Sequence, residues 1–318
     1  MLPVDAEYEV ICTLNDNNSL IKEPESFSML PSGGFVIADG DKVVLYSNDG
    51  EQIRQIGFSG RALGEYNMPT NVKTHNDTVY VWSAMSLKFI SYTINGEPIA
   101  EYKYDSAISD FIPSEDIIIV YNSGRSGTHI IDIYDKEQQN VVTSLTEAES
   151  EHRILLRSWA SCPYWFSGEN LYYMPRNRLS LYKYNFAERE ETQISSIEST
   201  TFNVERQSDY MSILTNRQKA SKYLRDNSLV IGLIPNGGNK FLALTLEGQT
   251  KVIDDVYDTS ERVITIYDMN KGKVIARYTF ESIGTQVLFS CLNNDIYFLK
   301  HSIENNDDVL MLCKLLIR

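Results

Sequence analysis

A strand–turn–strand unit with glycine-containing turns recurs along this chain. Its clearest copy comprises Gly34–Asp39, Lys42–Ser47, the turn Asn48-Asp49-Gly50 and Glu51–Ile56. A second copy comprises Asp77–Trp82, Lys88–Thr93, the turn Asn95-Gly96 and Glu97–Tyr102. Asp-Gly and Asn-Gly supply the positive φ angles that tight hairpin turns require. Turns at matching places in two copies predict a fold built by repetition of one antiparallel unit.

Four further units follow with less regular turns. They pair 116–121 with 129–134, 170–174 with 180–184, 240–246 with 262–267, and 295–300 with 309–317. The second strands of the six units start at Phe35, Val79, Ile117, Leu171, Phe241 and Ile296. A spacing of about 40–55 residues with four short strands per unit is typical of propeller blades. The chain is therefore predicted to be an all-β, six-bladed β-propeller of four-stranded antiparallel blades.

The first and last strands indicate how the ring closes. A fourth, outer strand follows the first five units, whereas the sixth unit ends with the chain. An unassigned strand, Tyr8–Leu14, precedes the first unit, and placing it beside Val309–Ile317 completes the last blade. Closure removes exposed sheet edges. Residues 1–318 are thus expected to form a single domain, with a seven-bladed ring as the lesser alternative.

One interval between units is longer than the rest. Residues 207–226 carry apolar side chains near the 3, 4, 7 spacing of an amphipathic helix, with Ser208 as the expected N-cap. We therefore predict a helical insertion between blades 4 and 5. It either covers the propeller as a packed helix, which is favoured, or serves as a lid or partner-facing element.

Charge and sorting signals narrow the classes of partner and location. The chain has 29 basic and 43 acidic residues, a net charge of −14, which argues against nucleic acid and anionic lipid as partners. No apolar run is long enough to span a membrane, and the N-terminus lacks the regions of a signal peptide. The expected location is cytoplasmic or, if a signal has been removed, the cell envelope, periplasmic or surface-anchored. The four scattered cysteines predict neither disulfides nor a zinc site.

The connection after the first unit contains a glycine-rich motif. In the stretch 55–69, Gly57, Gly60, Gly64, Glu65, Tyr66 and Pro69 are arranged as in the inter-blade signature of NHL-repeat and TolB-like six-bladed propellers, which this chain resembles. Leu63 replaces the proline of that signature, and the motif occurs once. The resemblance implies a bacterial propeller of that type. Glu65 and Tyr66 are expected at a channel mouth, either contacting a ligand or, as favoured, packing the crossover.

Catalytic motifs are not found in the sequence. The nearest serine-elbow candidates, at 57–60 and 124–127, have the wrong spacing, and no P-loop or dinucleotide fingerprint occurs. The histidines His75, His129, His152 and His301 show no paired metal-ligand spacing, and the clustered aspartates occur in predicted turns. We therefore expect no catalytic residues, no metal and no cofactor. The alternative is a metal-dependent, lactonase-like hydrolase or lyase with its site on the propeller axis.

The segment 151–166 is the strongest candidate for a binding surface. It concentrates Arg153, Arg157, Trp159, Tyr164 and Trp165, and Arg176 follows in an otherwise acidic chain. Aromatic and arginine side chains are the usual anchors of recognition surfaces. The alternative, which is favoured, is that Trp159 and Trp165 fill the core between blades while the arginines pair with the excess acidic residues. The sequence predicts a non-enzymatic binding or scaffold protein, expected to be monomeric, that recognises a protein or extended ligand such as a peptide or carbohydrate.

Overall fold

Antiparallel sheets follow one another along the chain in the order expected for propeller blades. The computed structural model describes residues 2–14, 24–123, 128–156, 161–248, 261–281, 289–292, 295–304 and 307–317. The N-terminal strands are β1 (Val4–Asp5) and β2 (Tyr8–Thr13). Blade 1 contains β3 (Pro24–Met29), β4 (Phe35–Asp39), β5 (Lys42–Tyr46) and β6 (Gln52–Gln55). The short parallel pair β7 (Phe58–Ser59) and β8 (Glu65–Tyr66) follows. Blade 2 contains β9 (Pro69–His75), β10 (Thr78–Ser83), β11 (Lys88–Thr93) and β12 (Pro98–Lys103).

The second half of the chain adds four blades and three helices. Blade 3 contains β13 (Ile108–Pro113), β14 (Ile117–Asn122), β15 (His129–Asp135) and β16 (Asn140–Glu147). Helix α1 (Ser150–Leu155) precedes blade 4, which contains β17 (Tyr164–Phe166), β18 (Asn170–Tyr173), β19 (Ser180–Asn185) and β20 (Glu190–Ser196). Helices α2 (Tyr210–Thr215) and α3 (Arg217–Asp226) precede blade 5, which contains β21 (Leu229–Pro235), β22 (Phe241–Leu246), β23 (Glu261–Asp268) and β24 (Lys273–Glu281). Blade 6 contains β25 (Phe289–Leu292), β26 (Asp295–Glu304) and β27 (Asp307–Leu315).

The N-terminal strand closes the ring. Strand β2 pairs antiparallel with β27, with Tyr8 opposite Leu315 and Thr13 opposite Met311, and it becomes the outer strand of blade 6. The predicted six-bladed propeller and its closure are therefore confirmed. Strand β1, which was not predicted, pairs in parallel with β24, so that Val4 lies opposite Tyr278 on the outer edge of blade 5.

Packing between neighbouring blades forms the core. The buried apolar side chains of the described residues group into six clusters, each between two adjacent blades. On β4, Phe35 and Ile37 pack toward Leu312 of blade 6, whereas Val36 and Ala38 pack toward blade 2. Because both faces of a middle strand are buried, its sequence is a continuous apolar run rather than an alternating one.

A β-bulge recurs between the third and fourth strands of every blade. In each case the outer strand carries one extra residue, and this residue is always β-branched and aliphatic: Ile53, Ile99, Val142, Ile194, Ile275 and Ile11. Five of these side chains are 38–56% exposed, and that of Ile275 is half-buried. Bulges twist outer strands away from flat edge-to-edge pairing, which protects the rim of the ring.

The insertion between blades 4 and 5 is helical, but it is not the single helix expected over 207–226. Asp209, rather than Ser208, is the N-cap of α2, and its carboxylate accepts a hydrogen bond from the Ser212 N–H at 3.4 Å. The helix breaks at Asn216, which has an extended backbone and whose side chain caps α3 through the Lys219 N–H at 3.1 Å. Competition by an Asn side chain for backbone donors favours such a break.

Candidate functional site

The two ends of the ring carry different kinds of connection. We call the end that carries the outer-to-inner crossovers and the loops between second and third strands the crossover face. Its described segments include 56–68, 84–87, 104–107, 148–156, 161–163, 174–179 and 197–228. The opposite end, the turn face, carries the connections between first and second and between third and fourth strands. Long, structured connections and the three helices of the described chain thus lie on the crossover face.

The turn face consists of short turns whose exposed charges are mostly acidic. The exposed acidic residues of these turns are Asp49, Glu51, Asp77, Glu97, Glu115, Asp116, Glu137, Glu169 and Glu188, against the exposed bases Arg189, Lys240 and Lys271. A buried lysine, Lys136, joins the turn after β15 to the turn between β13 and β14. Its ammonium donates to the carbonyls of Ser114 and Glu115 and lies 4.7 Å from the Tyr80 ring centroid.

Helix α1 covers the blade 5–6 side of the crossover face, although it connects blades 3 and 4. Its Ile154 and Leu155 are fully buried in the cluster between blades 5 and 6. Its Glu151 carboxylate accepts a hydrogen bond from the Gln207 N–H at 2.8 Å, and Tyr223 of α3 packs into the same cluster. The insertion is therefore a covering element packed on the propeller, as favoured from the sequence.

The chain after α1 links blades that are not neighbours. The Ser161 hydroxyl donates to the Phe289 carbonyl at 2.9 Å and accepts from the Phe289 N–H at 2.8 Å. Ser161 leads into the innermost strand of blade 4, whereas Phe289 begins the innermost strand of blade 6. This pair of bonds thus joins the inner strands of two blades that are separated by blade 5. This link was not predicted, because one serine hydroxyl in a sequence does not reveal a distant partner.

A charged pair lies between the innermost strands of blades 2 and 3. The Lys73 ammonium is 3.0 Å from the carboxylate of Asp110, which is 5% exposed. Next to this pair, burial raises the pKa of the Cys162 thiol to about 11. Burial, together with the Asp110 carboxylate, raises the pKa of Tyr164 well above its ordinary value. Cys162 and Tyr164 stay protonated at neutral pH, so neither is an activated nucleophile.

The fold uses Arg176 and Arg153 internally. Arg176 is fully buried: its guanidinium donates to the Ser161 carbonyl and the Cys162 sulfur, each at 3.2 Å. Its backbone N–H donates to Nδ1 of His152 at 3.0 Å. The half-buried Arg153 donates to the Ala148 carbonyl at 3.3 Å. These two arginines organise the chain around α1, and Arg176 offers no exposed surface.

The aromatic residues of the predicted site pack against neighbouring blades. Tyr164 stacks on Tyr121 with ring centroids 5.7 Å apart, and Trp165 lies 5.7 Å from Phe241 of blade 5. Trp165 thus fills part of the core between blades 4 and 5, as the alternative interpretation of the sequence proposed. Arg157 and Trp159 lie outside the described residues.

Glu65 and Tyr66 lie in the crossover between blades 1 and 2. The Glu65 carboxylate accepts from the Ala62 N–H at 2.9 Å, which stabilises the glycine-rich loop. The fully buried Tyr66 accepts hydrogen bonds through its hydroxyl from the Val43 N–H at 3.1 Å and from Gln55 at 3.4 Å. Both side chains hold the crossover together, because the chain must pass from the rim to the axis at this point.

Donor groups for a metal are dispersed. Nowhere in the part of the chain that the structure describes do three His, Cys, Asp or Glu side chains come together. His75, His129 and His152 belong to β9, β15 and α1, whereas residues 254–258 and the side chains of His301, Asp307 and Asp308 lie outside the described residues. Across the described chain, each helix is too short or too polar to cross a lipid bilayer.

A small polar cleft of about 290 Å³ lies beside the helical insertion. Its walls include Glu205, Asp209, Lys219 and Lys222. Lys219 donates to the Ser212 hydroxyl at 2.5 Å and Lys222 pairs with Asp226, so the cleft carries both charges. Its volume is at the lower end of the range for ligand pockets.

Comparisons with known proteins support the fold and identify the family of the chain. Two similar solved structures are a putative exported protein from Bacteroides fragilis and a member of the DUF4221 family from Bacteroides vulgatus. The first is 13% identical with a TM-score of 0.68, and the alignment covers 98% of this chain and 95% of that one. The second is 9% identical with a TM-score of 0.65, and the alignment covers 99% of each chain. No curated protein sequence matches this chain. Residues 15–228 match the family DUF5128, described as a 6-bladed beta-propeller, and the chain therefore belongs to that family.

Proposed function

We propose that this protein is a non-enzymatic binding or scaffold propeller that recognises a protein or another extended ligand, a peptide or carbohydrate, on its crossover face. One observation carries the proposal: the three helices and the long connections of the described chain lie on this face, above a rigid ring. Loops presented by a rigid scaffold are where binding residues concentrate. The turn face, by contrast, has only short turns among the residues that the structure describes.

The proposed contact residues are those of the Arg/Trp segment. They are Arg157 and Trp159, which are assigned from the sequence. Arg153, Tyr164, Trp165 and Arg176 are proposed to support these two rather than touch the ligand, because their described contacts lie within the fold. Glu65 and Tyr66 are proposed to hold the crossover between blades 1 and 2 in the same way.

Two further assignments belong to the proposal. The spacing of Gly57, Gly60 and Gly64 supports an NHL-repeat or TolB-like bacterial type. A location in the cell envelope is supported by the similar fold of a protein described as exported.

Site-specific photo-crosslinking in cells that make the protein tests the proposal. A benzophenone amino acid replaces Asp105 or Arg206, which are exposed on the crossover face, or Glu97 or Glu137, which are exposed on the turn face. We expect a discrete adduct from the first two positions and none from the second two. Adducts confined to the turn face, or none from either face, would refute a binding role for the crossover face.

A further inference from the structure

A fully buried histidine, His152, lies in the middle of helix α1. Its side chain is 0% exposed, and its ring centroid is 5.8 Å from that of Tyr121 on β14. Further along the same helix, Ile154 and Leu155 fill part of the cluster between blades 5 and 6. Histidine is the side chain whose ordinary pKa lies between about pH 5 and pH 8, so the binding of one proton bears on how this covering helix is held.

The hydrogen bond of His152 requires the neutral imidazole. Its Nδ1 accepts from the backbone N–H of Arg176 at 3.0 Å, so this nitrogen carries no proton. The proton of the neutral ring is therefore on Nε2, which is buried and has no hydrogen-bond partner among the described residues. A second proton would have to bind Nδ1, and it would place two N–H donors against each other. The geometry thus excludes the imidazolium form while α1 stays in place.

The charges around α1 act in the same direction. The titratable and charged groups on the described elements packed against the helix include Glu149, Glu151, Arg153, Arg176, Arg178, Cys162, Tyr121, Tyr164, Glu205, Tyr210 and Tyr223. Burial lowers the pKa of His152, and the positive charges of Arg176, Arg178 and Arg153 lower it further. Desolvation and repulsion by like charge both disfavour a protonated imidazole.

The two carboxylates at the start of α1 are bound by other groups. Glu149 pairs with Arg178 and accepts a hydrogen bond from Asn177 at 2.6 Å. Glu151 accepts from the Gln207 N–H at 2.8 Å. Neither carboxylate accepts a hydrogen bond from the imidazole, whose Nε2 has no partner in the described chain. The negative charges on the helix therefore do not offset the three arginines at this position.

We infer that His152 is a pH-sensitive switch that holds α1 on the crossover face while its ring is neutral and releases the helix when the ring is protonated. Release breaks the bond to Arg176 and withdraws Ile154 and Leu155 from the cluster between blades 5 and 6. Acid thereby uncovers the part of the crossover face that α1 covers. The inference does not depend on which ligand this face binds.

The release is local, because α1 belongs to none of the sheets. The helix has six residues, and the blades before and after it are complete without it. Segments of this kind open at a lower free energy than the whole domain needs to unfold. Once α1 is open, the His152 imidazole binds a proton with its ordinary pKa, near 6.5. Opening therefore becomes about tenfold more favourable for each pH unit below that value.

Hydrogen exchange of the wild-type protein at several pH values tests the inference. Peptic fragments that contain residues 150–155 report on α1, and fragments that contain the fully buried strand β4 report on the ring. Each rate is divided into the intrinsic exchange rate at the same pH to give a protection factor. We expect α1 to be less protected than β4 at every pH, and its protection to fall about tenfold per unit from pH 6.5 to pH 5. Equal protection of α1 and β4 would show that the helix leaves only when the ring unfolds, and would overturn the inference.

Two variants identify the group that titrates. His152→Asn keeps an acceptor for the Arg176 N–H but binds no proton, so its α1 protection should stay constant between pH 7.5 and pH 5. His129→Asn, at a half-exposed position of β15, is the matched control and should keep the pH dependence of the wild type. A dependence that persists in His152→Asn would assign acid sensitivity to other groups and refute the switch. If His152→Asn does not fold, the comparison of α1 with β4 in the wild type still decides between local release and global unfolding.

Discussion

Tyrosine at the end of the third strand is the recurring residue of this propeller. Five of the six third strands carry one at or next to the last position: Tyr46, Tyr92, Tyr134, Tyr184 and Tyr267. In two blades the tyrosine hydroxyl forms a hydrogen bond with the crossover that enters the blade. Tyr92 donates to the Gly64 carbonyl at 2.9 Å, and Tyr267 contacts the Thr201 hydroxyl at 2.6 Å. In these two blades the ring of the tyrosine packs between blades while its hydroxyl anchors the incoming chain.

Removing these hydroxyls should have unequal effects. Tyr92→Phe and Tyr267→Phe each leave a crossover group without its partner, and we expect each to lower the free energy of unfolding by about 1–2 kcal/mol. Tyr134→Phe is the matched control, because among the described residues its buried hydroxyl has no hydrogen-bond partner. That change should cost about 0.5 kcal/mol or less, since a buried unpaired hydroxyl is itself unfavourable. Urea unfolding of the three variants measures this; equal losses in all three would contradict the anchoring role.

His152 should make the fold sensitive to acid. Burial and the nearby charges of Arg176, Arg178 and Arg153 lower the pKa of His152 well below its ordinary value, and its Nδ1 accepts from the Arg176 N–H. Below about pH 6.5 the His152 imidazole binds a proton in the unfolded chain but not in the folded chain. The free energy of unfolding therefore decreases as the pH is lowered. The loss attributable to His152 should be about 2 kcal/mol between pH 7.5 and pH 5.

The difference between variants isolates this contribution from that of the carboxylates. His152→Asn keeps an acceptor for the Arg176 N–H but does not titrate, so its free energy of unfolding should fall less steeply below pH 6.5. His129→Asn, at a half-exposed position of blade 3, is the control and should follow the wild type. Parallel stability curves for wild type and His152→Asn would show that this imidazole is not the acid-sensitive group.

At the scale of elements, the strands were predictable and the connections were not. Middle strands such as β4 are buried on both faces, so they appear as apolar runs between turn residues, and the sequence marks them clearly. The bulges were not predicted, because Ile53 or Ile194 in an outer strand resembles any strand residue until its register is known. Helix α1 was likewise missed: six residues are too few to display a helical period.

The candidate site was less predictable than the fold for the same reason. Composition identified the Arg/Trp segment, but burial decides what each member does, and Arg176 is buried while Leu63 is exposed. The crossover that enters blade 2 lies against a loop of the same blade, and the two are joined by backbone bonds such as Ala84 to Met68. Contacts of this kind depend on the register between elements rather than on any local motif.

At the scale of the whole molecule, the first thirteen residues connect two blades. Strand β2 completes blade 6, and β1 extends the edge of blade 5. The Lys300 ammonium adds a contact, donating to the Tyr8 hydroxyl at 2.5 Å and lying 4.6 Å from its ring centroid. We propose that residues 1–318 unfold as one domain, because a ring whose last blade is completed by its first strand has no independent half.

Deleting residues 1–14 should therefore destabilise every blade. The deletion removes roughly five ladder hydrogen bonds at about 1 kcal/mol each, together with the buried side chains of Cys12 and Leu14. The free energy of unfolding of a whole domain is only about 5–15 kcal/mol. We expect the truncated chain to unfold in a single transition at a much lower urea concentration and to aggregate through the uncovered edge of β27. Deleting residues 1–6 removes only β1 and is the matched control, with a much smaller loss expected.

Adding the missing strand in trans distinguishes closure from a general effect of truncation. A synthetic peptide of residues 1–14 should raise the unfolding midpoint of the truncated chain in proportion to the logarithm of its concentration, because it binds only the folded ring. A peptide with Glu9→Pro, which removes the N–H of a hydrogen-bonded pair with Lys314 in the ladder, should do so less. If instead the truncated chain unfolded in two separate transitions, with one at the wild-type midpoint, blades distant from blade 6 would be folding independently. The proposal of a single domain would then fail, although the pairing of β2 with β27 would stand.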